Sequence, residues 1–427
     1  MTSPAEERAT RGRGRQLGLL SVSFFTASAL GLLFLVVAAR WLAPTDYLQF
    51  QAVWGLVFVF ASVLGSVEQE VTRRSTTAVL DGRRTPVGAA QAVALAAMAS
   101  LVVLAAVLLT PAGRDVVQGS VPVITLTFLS VLNFAVLVLV RGVLLGSHAL
   151  RGYAAVLVGE AVLRMLLLGA LVVLGVDEAV EWAVLATVAG SLVWFGALAR
   201  LSRAIDWSST RDPWRVVGGT VAALCIANGL SALVLTGFPT VALAILGESS
   251  DLAVLISVIT LARAPLALLA PVQAMTVPTV VRWSRSGDTR HLSRALEYIA
   301  GGTALSSLLA AGVGYLVGPW VIVLVLGEAY RPDALSVALV AASTCAMAGA
   351  LLQAAALVAL QRYWQVTAVW AASIVSAALL MMLAPWSDVA RCMGGFLLAS
   401  VVAYLATALA VRRTVATAAD GDQRSDH

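Results

Sequence analysis

The sequence contains no lysine: all 28 basic residues of this 427-residue chain are arginine. A Walker-type phosphate-binding loop needs a lysine that reaches the phosphates, and a Schiff-base mechanism needs a lysine amine, so both mechanisms are excluded. Cysteine and histidine are scarce as well, with three of each, and neither shows the spacing of a zinc site or a disulfide framework. The sequence therefore predicts neither a metal nor another cofactor.

Charge is scarce too, since only 12% of the residues are charged and 60% are hydrophobic. Soluble domains carry about 25% charged residues, so lipid is the expected solvent for most of this chain. The net charge of +5 does not indicate a nucleic-acid partner, because the arginines flank apolar runs and do not cluster on a polar segment.

Apolar runs near the length needed to cross a bilayer, about 20 residues, recur along the whole chain. The first run follows an arginine-rich segment like that of a secretory signal, but eleven further runs follow, so it is interpreted as a retained span. The twelve predicted spans are Leu17 to Ala39, Phe50 to Val67, Val87 to Thr110, Val121 to Val140, Tyr153 to Gly175, Ala179 to Ala199, Val216 to Leu246, Leu252 to Val281, Ala295 to Val317, Ala334 to Leu360, Trp364 to Pro385 and Gly394 to Val411.

The arginines between these spans alternate between rich and poor junctions. One side of the membrane collects 22 of the 28, the other side has only Arg40, Arg114, Arg331 and Arg391, and two lie inside spans. Because short cytoplasmic loops are enriched in arginine and lysine, the rich side and both termini are predicted to be cytoplasmic. A missed or invented span would break this alternation, so the pattern also supports the count.

The predicted fold class is an all-α polytopic membrane protein of about twelve transmembrane helices in two six-helix lobes. The N-terminal lobe covers residues 17–200 and the C-terminal lobe residues 216–413. A cytoplasmic tail (1–16) precedes them, a cytoplasmic loop (201–215) joins them, and a polar tail (414–427) is predicted to be disordered. The longest outer loop, Gly318 to Asp333, has about sixteen residues, which is short for a membrane-bound glycan polymerase, so no enzyme is predicted.

Charged residues inside spans are costly and usually face a cavity or a partner. Glu160 and Arg164 are four residues apart with the acid first, which is the favourable order for a pair on one helix face. Arg263 lies near the middle of span eight. We expect these three side chains to line a substrate pathway, where the arginines would offer positive charge to a phosphate or pyrophosphate. The alternative for Glu160 and Arg164 is a mutually neutralised structural pair.

Uncharged polar residues also occur within the spans. Asn228 and Gln273 complete the predicted pathway, although hydrogen bonding between helices is the alternative for both, as it is for Asn133 and Gln353. Spans seven and eight contain glycine and proline breakers, among them Pro239 and Pro265. Such breakers permit bends, so these two spans are predicted to form the moving gate of an alternating-access carrier.

Four segments together resemble, in order, the polysaccharide biosynthesis proteins and lipid-linked oligosaccharide flippases of the multidrug/oligosaccharidyl-lipid/polysaccharide exporter superfamily. They are Leu42 to Tyr47 (LAPTDY), Arg141 to Gly146 (RGVLLG) with Arg151 to Ala154 (RGYA), Leu261 to Pro265 (LARAP), and Gly318 to Pro332 (GPWVIVLVLGEAYRP). The resemblance implies a two-lobed carrier in the bacterial cytoplasmic membrane that flips an undecaprenyl-linked oligosaccharide to the outer leaflet.

The expected cargo is therefore a polyprenyl-pyrophosphate-linked glycan, and the expected partners are membrane lipid and glycosyltransferases of the same pathway. An ion-coupled multidrug exporter of the same superfamily is the main alternative, with Glu160 as its candidate coupling carboxylate. A sugar or metabolite facilitator and a membrane scaffold are two further alternatives. The facilitator signature is only faintly echoed by Asp81 to Arg84, and a scaffold explains neither the buried charges nor the proline-rich spans.

Overall fold

The computed structural model describes residues 4–269, 276, 279–283 and 289–425. This part of the chain is almost entirely helical, and its only strands are the two-residue segments β1 (Thr85–Pro86) and β2 (Ile205–Asp206). Short 3-10 helices cover Leu192–Ala197, Ala264–Leu269 and Glu328–Tyr330. The α-helices are α1 (Pro4–Trp41), α2 (Pro44–Leu80), α3 (Gly88–Leu109), α4 (Pro111–Val116), α5 (Val121–Gly146), α6 (Leu150–Val173), α7 (Val180–Ser191), α8 (Leu198–Ala204), α9 (Trp214–Leu235), α10 (Phe238–Leu246), α11 (Ser250–Ala262), α12 (Thr289–Leu326), α13 (Ala334–Ala359), α14 (Tyr363–Leu383) and α15 (Asp388–Ser425).

Among the described residues, ten helical segments are long and apolar enough to cross a membrane, and a bent pair of segments gives an eleventh. The predicted fold class is confirmed: the chain is an all-α, multi-pass membrane protein. The predicted span from Leu252 to Val281 is described only in part, since residues 270–275, 277 and 278 lie outside the described residues. The count of twelve therefore stays a prediction.

Span seven is bent, as its breakers predicted. The segments Asn228–Leu235 of α9 and Phe238–Leu246 of α10 meet at an angle of 68°. Pro239 lies in the first turn of α10, where its missing N–H removes no helix hydrogen bond. In span eight, α11 ends at Ala262, and a 3-10 helix that contains Pro265 follows. A gating role for these breaks stays a prediction.

The chain folds into two compact units. Unit 1 comprises Met1–Asp46 and Leu56–Gly229, and unit 2 comprises Tyr47–Gly55 and Leu230–His427. Within unit 2, the hydroxyl of Thr240 donates a hydrogen bond of 2.6 Å to the carbonyl oxygen of Ala52. These contacts give Tyr47–Gly55 a place in the second unit although its helix, α2, continues in the first. The predicted lobes 17–200 and 216–413, with the loop 201–215, stay predictions.

Several helices extend beyond the ends that the sequence predicted. The connection predicted as an outer loop from Gly318 to Asp333 is largely helical, because α12 continues through Pro319 to Leu326. That prediction is wrong, since the apolar run after the proline keeps its helix and transmembrane helices tolerate an internal proline. The alanine-rich segment after residue 414, predicted to be disordered, continues α15 to Ser425, and alanine favours helix. Likewise, α1 begins at Pro4, within the predicted N-terminal tail.

The segment RGVLLG, which the resemblance assigned to a cytoplasmic turn, forms the last turns of α5. Its two glycines lie four residues apart on the face that meets α2. A Cβ atom at Gly142 would lie 2.6 Å from a methyl carbon of Val71, and one at Gly146 would lie 2.5 Å from Cβ of Ser75. Small residues at this spacing let two membrane helices approach closely. The assignment to a turn is wrong because nothing in the segment breaks a helix.

We expect Gly146→Ala to lower the free energy of unfolding by about 1–3 kcal/mol, because the added methyl overpacks the α2–α5 contact. The matched control is Gly169→Ala in α6, where a Cβ would meet nothing within 4 Å. That change should be neutral or stabilising by up to about 1 kcal/mol through helix propensity. Thermal unfolding of the detergent-solubilised protein measures both, and equal effects at the two positions would contradict the close approach.

Two loops of unit 1 pair with each other near the ends of α2 and α3. β1 and β2 pair in parallel, with Thr85 opposite Ile205 and Pro86 opposite Asp206. The backbone N–H of Val87 donates to the hydroxyl of Ser209 at 2.9 Å. The predicted inter-lobe loop 201–215 is thereby fastened to the first unit.

Candidate functional site

A buried cluster of charges in unit 1 is the candidate site. Glu68 on α2 accepts two hydrogen bonds from Arg141 on α5, with Nη2 at 2.7 Å and Nε at 3.0 Å. Glu160 on α6 accepts one from Arg164 at 2.7 Å, and the Nη1 atom of Arg141 lies 3.6 Å from its other oxygen. We call Glu68, Arg141, Glu160 and Arg164 the charge cluster.

Helix geometry explains how the cluster forms. Glu160 and Arg164 lie one turn apart on one face of α6, as the sequence predicted, and they are 7% and 4% exposed. The cluster contains two carboxylates and two guanidinium groups, so its charges balance. Buried charges need such partners, because an unpaired one keeps the full penalty of leaving water.

Aromatic rings and a close helix contact enclose Arg164. Its guanidinium carbon lies 5.7 Å from the ring centre of Phe34 and 5.4 Å from that of Phe58, which is cation–π distance. On α7, a Cβ at Gly190 would lie 2.8 Å from the carbonyl oxygen of Glu160, so the absence of a side chain lets this helix reach the pair. The ion pair is therefore packed on several sides.

The sequence analysis missed Glu68 and misplaced Arg141. Glu68 follows the last residue of predicted span two, and Arg141 follows the last residue of span four, so both fell outside the apolar windows. The helices continue past them: α2 to Leu80 and α5 to Gly146. The signal was present in the sequence, since no proline or glycine follows Glu68 before Gly82. A hydropathy window detects lipid contact and is blind to a helix that continues into a polar layer.

Arg263 lies in unit 2 and has different surroundings. It follows α11, and its guanidinium donates to the last two carbonyl oxygens of α9, at 3.2 Å for Val234 and 3.1 Å for Leu235. The guanidinium carbon also lies 5.6 Å from the ring centre of Phe238 and 4.8 Å from that of Phe396. Carbonyls at a helix C-terminus have no partner within the helix. Arg263 therefore caps α9 at the 68° bend.

The uncharged polar residues divide into three groups. Asn133 accepts a hydrogen bond from the indole of Trp194 at 3.1 Å, and Gln353 accepts one from Thr407 at 2.8 Å, which confirms hydrogen bonding between helices for both. Asn228 is half-buried in α9, where the bent pair of segments begins. Gln273 lies outside the described residues. A pathway role for Glu160, Arg164, Arg263, Asn228 and Gln273 stays a prediction.

No protein-family model matches the sequence. The chain is 30% identical over 368 residues to the uncharacterized protein Rv3630 of Mycobacterium tuberculosis, a match that covers 81% of this chain and 80% of that protein. The uncharacterized protein Mb3654 of Mycobacterium bovis matches to the same extent. Another uncharacterized protein of Mycobacterium tuberculosis, Rv1510, is 28% identical over 400 residues, which are 90% of this chain and 89% of the relative.

Solved structures with a similar fold are transporters. The inward-facing conformation of a multidrug resistance MATE family transporter of the MOP superfamily superposes with a TM-score of 0.65 at 11% identity, covering 92% of this chain and 95% of that one. The outward-facing conformation of a MATE family transporter gives 0.58 at 14% identity, with coverages of 94% and 96%.

A MOP superfamily transporter from Pyrococcus furiosus, described as having a binding pocket of reverse polarity that suggests a different function, gives 0.61 at 14% identity, with coverages of 94% and 96%. The chain therefore has the fold of the MATE transporters of the MOP superfamily, and it belongs to the family of proteins that includes Rv3630 of Mycobacterium tuberculosis.

Proposed function

We propose that this protein flips a polyprenyl-pyrophosphate-linked oligosaccharide across the bacterial cytoplasmic membrane by alternating access, for the synthesis of a cell-surface polysaccharide. The observation that carries the proposal is a MATE-type fold whose buried acids are all neutralised. Among the described residues, the buried acids are Glu68, Glu70 and Glu160, and each pairs with arginine. An exporter that couples to an ion needs a carboxylate that binds and releases that ion, and a guanidinium occupies this position on each of the three.

The segments that resemble lipid-linked oligosaccharide flippases add support, because two of them contain residues of the sites described above. RGVLLG contributes Arg141 to the charge cluster, and LARAP contributes Arg263 to the cap of α9. The cargo would be assembled by cytoplasmic glycosyltransferases, which are therefore the proposed pathway partners. Transport without covalent chemistry on the glycan fits a non-enzymatic role.

Ion-coupled export of a small molecule is the second candidate, and the position of Glu160 favours it. This carboxylate contacts both Arg164 and Arg141, at 2.7 Å and 3.6 Å. Protonation of Glu160 would weaken both contacts at once, so a proton could change the packing of α5 against α6. Loss of gradient-driven dye export in Glu160→Gln, with glycan transfer unchanged, would favour this candidate.

Reconstituted vesicles test the proposal. A fluorescent polyprenyl-pyrophosphate oligosaccharide is placed in both leaflets, and an impermeant reductant bleaches the outer leaflet. Without transport only the outer-leaflet signal is lost, whereas with the protein we expect nearly all of it to disappear. A second arm offers a cationic dye under a pH gradient. Dye transport without glycan transfer would support the exporter, and transfer equal to that of protein-free vesicles would refute flipping.

Two paired variants locate the function in unit 1. Glu160→Leu combined with Arg164→Met removes both charges of the buried pair, and we expect it to abolish glycan transfer if the pair takes part. The matched control, Glu328→Gln with Arg331→Gln, removes an ion pair of 2.8 Å whose side chains are 72% and 66% exposed. This control should transport like the unmodified protein. Equal transport by both variants would make the buried pair structural.

A further inference from the structure

Four arginines surround a pocket of about 370 Å³ at one end of unit 1. Arg73 and Arg74 come from the end of α2, and Arg83 and Arg84 come from the loop before β1. The wall opposite α2 contains Asp206 and Ser209 from the loop that β2 begins. This pocket lies outside the charge cluster, and the proposed transport function does not require it.

The arginines of the pocket differ in how firmly they are held. Arg74 is 14% exposed at its side chain and pairs with Glu70 at 2.7 Å and with Asp212. Arg73 and Arg83 are 67% and 76% exposed at their side chains, and each has one acidic partner. Among the described residues Arg84 donates no hydrogen bond. The pocket thus has one fixed guanidinium and three that can still donate to a ligand.

The acids at the pocket orient these arginines. Asp81 pairs with Arg83 at 2.8 Å. Asp206 accepts hydrogen bonds from the hydroxyl and the backbone N–H of Ser208, which lower the pKa of Asp206, and nearby Arg84 lowers it further. Both carboxylates are therefore ionised at neutral pH. Guanidinium groups held by neighbouring carboxylates are already positioned, so less entropy is lost when they bind a phosphate.

The position of the pocket along α2 corresponds to the layer of lipid headgroups. The apolar part of this helix ends at Val67, and Arg73 follows it by six residues, which is about 9 Å of helix. The hydrocarbon core is about 30 Å thick and the whole bilayer about 40–45 Å, so this distance reaches the phosphates. The distribution of arginine along the sequence predicts that this side is cytoplasmic.

Exposed apolar side chains flank the pocket. Leu80, beside Asp81, is 79% exposed, and Trp207, beside Asp206, is 57% exposed. Tryptophan is enriched at the boundary between membrane and water, and an exposed leucine in that boundary contacts acyl chains. A pocket for a soluble anion has no need of such a rim. We propose that the pocket binds the phosphate group of an anionic phospholipid of the cytoplasmic leaflet.

Lipid binding to the purified full-length protein, measured by native mass spectrometry, tests this proposal. Phosphatidylglycerol is titrated against phosphatidylcholine, and inorganic phosphate forms a third arm. Each arginine near a charged lipid surface contributes about fivefold in affinity, so Arg83→Gln with Arg84→Gln should weaken phosphatidylglycerol binding about thirtyfold. The matched control, Arg200→Gln with Arg203→Gln, removes two exposed arginines that do not line the pocket and should change the affinity less than about threefold.

Each outcome decides the proposal. Preference for phosphatidylglycerol, lost in the pocket variant and kept in the control, supports it. Equal losses in both variants would indicate diffuse attraction and overturn it, as would equal binding of the two lipids. Phosphate binding that depends on Arg83 and Arg84 without a lipid preference would assign the pocket to a soluble anion. If the glutamine variant fails to fold, Arg83→Lys with Arg84→Lys keeps the charge, and the loss of fork geometry should still weaken lipid binding.

Discussion

Glu160→Ala is expected to lower the free energy of unfolding by about 3–5 kcal/mol, because the change leaves Arg164 buried without its carboxylate. Arg164 is 4% exposed and lies between two aromatic rings, so water cannot readily replace the lost partner. Arg141 would lose its second acidic neighbour as well. Thermal unfolding in detergent, followed by size-exclusion fluorescence, measures the loss.

The paired variant Glu160→Leu with Arg164→Met separates charge from packing. Replacing both members of a buried ion pair by apolar residues of similar volume is often neutral or stabilising by about 1–4 kcal/mol relative to the pair. We therefore expect this double variant to melt near the unmodified protein and well above Glu160→Ala. If the double variant is as unstable as the single one, the pair acts through shape, and the electrostatic explanation is wrong.

Arg263→Met is expected to destabilise the protein by about 3–5 kcal/mol, because the carbonyl oxygens of Val234 and Leu235 lose two charge-assisted hydrogen bonds of about 1.5–3 kcal/mol each. No other donor for these oxygens is found at the bend among the described residues. The loss should be visible as a lower melting temperature. Arg263→Lys should recover only part of it, since one ammonium cannot reproduce the planar fork.

Arg391 provides the matched control. Its guanidinium donates to the carbonyl oxygens of Met381 and Met382 at the end of α14, at 2.6 Å and 3.4 Å, so it makes the same kind of helix cap. The carboxylate of Asp388, its partner at 2.9 Å, is 51% exposed. Because water can reach this end, Arg391→Met should cost about 1 kcal/mol or less. Equal losses at both arginines would show that the bend in span seven does not depend on its cap.

Local patterns in the sequence were sufficient for the features that depend on one helix. The spacing of Glu160 and Arg164 predicted their ion pair, and Pro239 predicted the bend in span seven. Both follow from helix periodicity and from the missing N–H of proline. The partners of these features were not accessible. The pairing of Glu68 with Arg141 joins residues 73 positions apart, and the capping of Leu235 by Arg263 joins residues 28 positions apart.

The sequence by itself determined that this protein is an all-α, multi-pass membrane protein, because the length and polarity of each span respond directly to the bilayer. It also identified the buried charges on α6 and the arginine after α11. Only the tertiary structure decided where those charges are neutralised, since a buried charge must find a partner in space and the nearest one is often on another helix. It also showed that four arginines interpreted as topology signals surround a pocket.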